Sequence, residues 1–208
     1  GLGDVYKRQI FISATPKKRK QRVLSRGASS NYFNLMNQRQ IKENIKQNLS
    51  LRISDFYEQI NRNEIDKYIG YKCETTDWFE VTQDQVDIFA DCTIDRQFIH
   101  IDPVAASNTP FGGTIAHGFL TLSMLSYFST SYNLVIDGIT MGVNKAFDKV
   151  RFVAPVRVGS KIRCHATGLE ITEKRPGQFD FKTEVSVEIE GQDKPALVAE
   201  WLVVQMVS

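Results

Sequence analysis

Residues 179–189 read FDFKTEVSVEI, with Phe179, Phe181, Thr183, Val185, Val187 and Ile189 at every second position and Asp180, Lys182, Glu184, Ser186 and Glu188 between them. A period of two puts the first set on one face of a strand and the second on the other, so this strand buries one side and wets the other. Outward from it, residues 144–153 and 161–171 alternate in the same way, and residues 197–206 are apolar on both faces, as an interior strand requires. The joining stretches APVRVGS, EKRPGQ and EGQDKP carry the Gly and Pro of hairpin turns. These four segments predict an antiparallel meander.

Upstream, residues 73–81 predict one more strand, and Thr82 is placed to cap a helix over QDQVDIFADC. Residues 115–132 are nearly all apolar or small, with Phe119, Leu122, Leu125 and Phe128 at helical spacing. With so few polar positions, this long helix is expected to be wrapped by the sheet. The class expected is α+β, with a curled antiparallel sheet around a central helix.

The 208 residues fit one domain with an appendage, and no apolar run approaches the roughly 18 residues that would span a bilayer. The formal net charge of +2 hides two unlike parts. Residues 1–42 hold ten Lys or Arg against the single acid Asp4, or +9, which leaves 16 basic and 23 acidic residues, or −7, for the remainder. That acidic body offers no surface made for nucleic acid. The block KKRKQR at Lys17 to Arg22 has three functional readings: a nuclear-localisation or nucleic-acid patch, part of a transit peptide, or an anchor to an anionic surface. A plainer expectation is that GLGDVYKRQ resembles translated adapter sequence and that Met36 is the natural start, which makes residues 1–35 a disordered and non-native head. Residues 36–70 then form a helical extension, from Ile41, Ile45, Leu49, Ile53, Tyr57 and Ile60 at spacings of three and four, and residues 71–208 form the domain.

Chemistry concentrates in residues 89–128, FADCTIDRQFIHIDPVAASNTPFGGTIAHGFLTLSMLSYF. Asp95 precedes His100 by five residues, and His117 follows Gly112 and Gly113 at the start of the long helix. An Asp and a His at that spacing often do no more than cap a turn and face solvent. Their irregular segment, however, lies just before a helix start with free backbone N–H groups. A carboxylate, an imidazole and such a donor are the parts needed for proton transfer beside a carbonyl. Cys73, Cys92 and Cys164 show no metal or disulfide spacing and fit a reducing cytoplasm, and His165 has no carboxylate near it in sequence. No nucleotide-binding glycine motif is present, which argues against ATP and redox chemistry.

The stretch resembles the MaoC-like, or hydratase 2, family of hot-dog-fold enzymes. The match comprises Asp95, His100, Asp102 and Pro103, then Ile115, Ala116, His117 and Gly118, with FDKVRFVAPVRVGSKIR similar to a later strand and turn of the family. Gln97 and Phe98 stand where well-studied members have Asn-Pro; this variation is similar to the nodulation N-type subgroup and bears on substrate range. The resemblance implies a five-stranded hot-dog domain and (R)-specific hydration or dehydration of 2-enoyl-CoA thioesters. It implies Asp95 and His100 as the catalytic pair, which of them is base being left open, and the N–H of Gly118 as oxyanion donor. His117 is expected mainly to hold the helix turn, and Ser126 either lines the pocket or packs. No metal or redox cofactor is expected, and the partners expected are an acyl-CoA substrate and a second copy of the chain, in the cytoplasm. A hot-dog acyl-CoA thioesterase and a non-catalytic acyl-thioester-binding module are the alternatives.

Overall fold

The computed structural model describes residues 58–132 and 134–208, so the expected head over 1–35 and the extension as far as residue 57 lie outside the described residues. Four long strands carry the fold: β4 (Ile139–Phe152), β5 (Lys161–Arg175), β6 (Gln178–Ile189) and β7 (Leu197–Val207). With the two-residue β2 (Phe79–Glu80) they form one antiparallel sheet in the order β2-β5-β6-β7-β4. The period-two reading of β6 holds throughout: Phe179, Phe181, Val185, Val187 and Ile189 are buried. β7 is interior, as its two apolar faces require.

The outer face is a lattice of charges. Lys182 meets Asp148 at 3.3 Å and Glu200 at 2.5 Å, Lys149 pairs with Glu200, and Arg163 grips Glu188 through two bonds of 2.6 and 3.1 Å. Flanking cations on both sides hold the Glu200 carboxyl below the usual carboxylate range. Arg163 and Glu188 stand directly opposite on β5 and β6 and support that register, while Lys182 bridges the acids Glu200 and Asp148, which face each other across β7 and β4, and Lys149 adds a second cation at Glu200.

Two separate packings share the inner face. Toward one end, Val185, Val187, Ile189, Leu197 and Ala199 pack with Leu125 and Phe128. These come from two consecutive helical pieces, α4 (Gly118–Ser123) and α5 (Leu125–Tyr132). The single wrapped helix expected over residues 115–132 is corrected in three respects. It begins at Gly118, because Ile115 pairs as a strand residue with Arg157 through the hydrogen bonds of its two neighbours; it is interrupted at Met124; and only the stripe Thr121, Leu125, Phe128 and Tyr132 is buried. The sheet covers one side, and Phe119 and Tyr127 face outward.

Toward the other end, Phe179, Phe181 and Ile171 pack with Ile60, Ile136, Ile65 and Tyr68. Here the expected helical extension is also corrected. Its described part is a short strand, β1 (Glu58–Ile60), parallel to β3 (Leu134–Ile136), followed by a 3-10 helix at Arg62–Tyr68. A 3-10 helix has three residues per turn, so Ile65 and Tyr68 fall on the same side and both reach this packing. Gln205, 2% exposed, ties β3 down by accepting from Ile136 N–H at 2.9 Å and donating to Leu134 O at 2.8 Å. The strand expected over residues 73–81 is regular only at Phe79–Glu80; before it, Lys72 bridges Thr167, and Cys73 and Thr76 donate to Ala166 O and Cys164 O.

Gly168 seats the N-terminal segment on β5. Gly70 N–H donates to its carbonyl at 2.8 Å, and a Cβ added to Gly168 would stand 2.6 Å from Tyr68 O. Because that oxygen belongs to backbone, Gly168→Ala is expected to destabilise the fold by about 1–3 kcal/mol as chain shifts relieve the overlap. Urea denaturation measures this, and an unchanged midpoint would mean that the segment does not rest on Gly168.

Candidate active site

The site is assembled by α1 (Gln83–Thr93) and the two turns that follow it. Thr82 caps α1 as its sequence predicts: its Oγ1 accepts from Gln85 N–H, and Gln85 Oε1 accepts from Thr82 N–H at 3.0 Å. Ile94 ends the helix at φ 63°. That left-handed conformation is strained for a β-branched residue, at about 1–3 kcal/mol. The turn it makes delivers Asp95 and then α2 (Phe98–Ile101), the short helix that carries His100. Asp102 and Pro103, part of the family-like motif, do a structural job. The Asp102 carboxylate accepts from Val104 and Ala105 N–H at 3.0 Å each, and Pro103 takes the first position of α3 (Pro103–Ser107), where its missing N–H costs nothing.

Residues 114–116 form an extended rib between this unit and the β4–β5 connection. On one side, Ile115 N–H donates to Ile99 O at 3.0 Å and Ile115 O accepts from His100 Nδ1 at 2.7 Å. On the other, Ala116 N–H donates to Val156 O at 2.8 Å and Thr114 O accepts from Val158 N–H at 2.9 Å. The rib leads into His117 and α4.

Asp95, His100 and His117 therefore meet. One carboxylate oxygen and one nitrogen of each ring lie within 4.8 Å of one another. The two imidazoles stack at 3.7 Å between centroids, and Phe89 covers His117 at 5.1 Å. His100 is 7% exposed and His117 3%, while Asp95 is exposed. A carbonyl can only accept, so His100 carries its proton on Nδ1, facing Ile115 O, and keeps the Nε2 lone pair. His117 likewise donates from Nε2 to Asp95 O at 2.9 Å, which leaves Nδ1 buried without a hydrogen-bond partner. Burial, above all, lowers the His100 pKa below its ordinary 6.5; the bond to Ile115 O works against this, nearby His117 lowers it further, and Asp95 raises it. His100 is thus a neutral base at pH 7, beside an exposed carboxylate. The same three groups offer one ligand atom each to a cation, and equally a cradle for water.

The other expected site residues divide. His117 does not hold the helix turn as expected: it makes no side-chain cap bond and instead fixes the Asp95 backbone. Gly118 opens α4, but its missing Cβ serves a neighbouring side chain, since a Cβ there would lie 3.0 Å from the Phe152 ring. Ser126 lies on the exposed side of α5 and its carbonyl accepts from Ser129 Oγ. His165, which lacks an acidic neighbour in sequence, has one across the sheet, Glu188 at 2.6 Å. Gln83, which the sequence does not single out, reaches the His100 backbone.

Comparison with known proteins agrees with this architecture. Residues 64–191 match the family model for the MaoC like domain. Nodulation protein N of Rhizobium meliloti is 40% identical over 147 residues, 70% of this chain and 91% of that protein. The 3-hydroxyacyl-thioester dehydratase Z of Mycobacterium tuberculosis is 41% identical over 134 residues, 64% of this chain and 88% of that one. Among solved structures, the R-hydratase PhaJ1 from Pseudomonas aeruginosa superimposes with a TM-score of 0.53 at 22% identity, over 67% of this chain and 83% of that chain. An (R)-hydratase from A. caviae involved in PHA biosynthesis gives 0.53 at 21%, over 65% and 94%. The solved structures show the shared hot-dog fold, and on the family match the chain belongs to the MaoC-like domain family.

Proposed function

We propose that this chain catalyses (R)-specific hydration of 2-enoyl-CoA thioesters and the reverse dehydration of 3-hydroxyacyl-CoA. The convergence of Asp95 and a neutral, buried His100 before the first turn of α4 carries the reading, and a relative at 41% identity named as a 3-hydroxyacyl-thioester dehydratase supports it. Water bound between the pair gives a proton to His100 Nε2 as its oxygen bonds to Cβ. The π electrons move toward the thioester oxygen as an enolate, and the imidazolium returns the proton to Cα, restoring neutral His100. Asp95 orients the water and stabilises the imidazolium. The backbone N–H of Gly118 meets the charge developing on the thioester oxygen, an interaction worth about 3 kcal/mol in comparable sites. Adding water changes no net oxidation state, so the reaction calls for no redox cofactor, and with His100 and Asp95 handling the proton it calls for no metal.

A homodimer belongs to the same proposal. β4 is a 14-residue edge strand with Met141 and Phe152 each 49% exposed, and a second copy would cover such an edge. Among the described residues no helix is long and apolar enough to cross a membrane. Three cysteines, all free, suit the cytoplasm.

With a short enoyl-CoA, loss of the conjugated absorbance and formation of the (R)-3-hydroxy product are expected. Release of free CoA would instead identify a thioesterase. Asp95→Asn and His100→Gln should each lower kcat by about 10²–10⁴-fold with circular dichroism unchanged; full activity in both would refute the site. Because burial lowers the His100 pKa, the base is more than half unprotonated at pH 6.5. The acid limb of kcat/KM should therefore have its midpoint below 6.5, and a midpoint at or above that value would assign the limb to another group. Sedimentation equilibrium should return the mass of two chains.

A further inference from the structure

Gln83 is the first residue of α1, yet its side chain takes no part in capping that helix, a task completed by Thr82 and Gln85. Its amide instead makes three bonds. Nε2 donates to His100 O at 2.7 Å and to Asp87 Oδ1 at 2.7 Å, and Oε1 accepts from Thr114 Oγ1 at 2.6 Å. The two Nε2 acceptors, a carbonyl and a carboxylate, fix which way the amide points. Thr114 is buried, next to Ile115, whose carbonyl holds the His100 ring. A closed circuit results: His100 backbone to Gln83, Gln83 to Thr114, Thr114 through one peptide to Ile115, and Ile115 back to the His100 imidazole.

We propose that Gln83 is a positioning residue that sets the orientation and tautomer of His100 by locking its backbone to the same rib that holds its ring. Taking the hydratase reading of Asp95 and His100 as its basis, the assignment adds a group that touches neither water nor substrate. Without the Gln83 amide, the segment carrying His100 is held to the rib by Ile99 O and the imidazole alone. The ring can then turn, and Nδ1 is no longer committed to Ile115 O.

The test is Gln83→Met, which keeps the length and removes all three bonds. Its kcat is expected to fall about tenfold to a hundredfold, as loss of alignment at a reacting centre does, with KM within about twofold of the parent. In ¹⁵N spectra, the His100 imidazole should pass from one Nδ1–H tautomer to a mixture. Thr114→Ser, which retains the hydroxyl, should behave as the parent. Thr114→Val should lose part of kcat, and adding it to Gln83→Met should cost little more, because both cut one circuit. A folded Gln83→Met with kcat within about twofold of the parent, or with the His100 tautomer unchanged, overturns the proposal. If Gln83→Met does not fold, the Thr114→Ser and Thr114→Val pair decides by the same two measurements. If the parent protein shows no hydration, the hydratase reading fails, while the His100 tautomer in the variants still decides the role of Gln83.

Discussion

Ile115 faces two ways at once, and the site depends on it. Its own N–H and C=O point toward Ile99 and His100, while the carbonyl of Thr114 and the N–H of Ala116 point toward Val158 and Val156. This is the ordinary alternation of a strand backbone, applied for three residues only. It lets the loop that carries Asp95 and His100, with little regular structure, borrow rigidity from the β4–β5 connection, and through it from the sheet. The imidazole of His100 is thereby fixed to backbone, which has far less freedom than a side-chain partner would.

Rigidity of this kind leaves local costs unrelieved. Ile94 sits in a left-handed conformation immediately before Asp95, and His117 Nδ1 is buried without a partner. Either would be unusual in a region selected for stability alone, and both lie within the one constellation. His117 illustrates the division of labour. One nitrogen holds the Asp95 carbonyl, its ring stacks on His100, and its nearness adds to the effect of burial in lowering the His100 pKa. An imidazole so placed orders the other two members of the cluster through its own contacts.

What could be read from sequence was whatever repeats locally. The alternation in residues 179–189, the Thr82 cap, and the Asp95 to His100 spacing each lie within a short stretch of chain, so residue order alone exposes them. The contacts that escaped are long-range. Gln83 meets Thr114 across 31 positions and His165 meets Glu188 across 23, and no local period announces either. Ile115 misleads for a related reason: its apolar side chain continues the helical pattern, but its backbone groups are already taken by strand-like partners, so the helix cannot begin before Gly118. Ile65 and Tyr68, three apart, fit an α-helical and a 3-10 spacing equally, so their order in the chain cannot tell the two apart.

The same dependence of the site on distant backbone appears at Gly118. Phe147 pairs with Trp201 and Phe152 with Leu197, so across β7 the two partners are four residues apart and face the same way. On β4 they are five apart, which in a regular strand would turn Phe152 to the outer face. The register shift between Asp148 and Arg151 inserts one extra residue, and Lys149, at φ 53°, absorbs the kink. Phe152 is thereby returned to the inner side and brought against the first residue of α4, where a Cβ would stand 3.0 Å from its ring and a glycine relieves the crowding. A bulge three residues away therefore sets which aromatic ring stands beside the first residue of the helix. The glycine of the motif is thus tied to the register of the sheet.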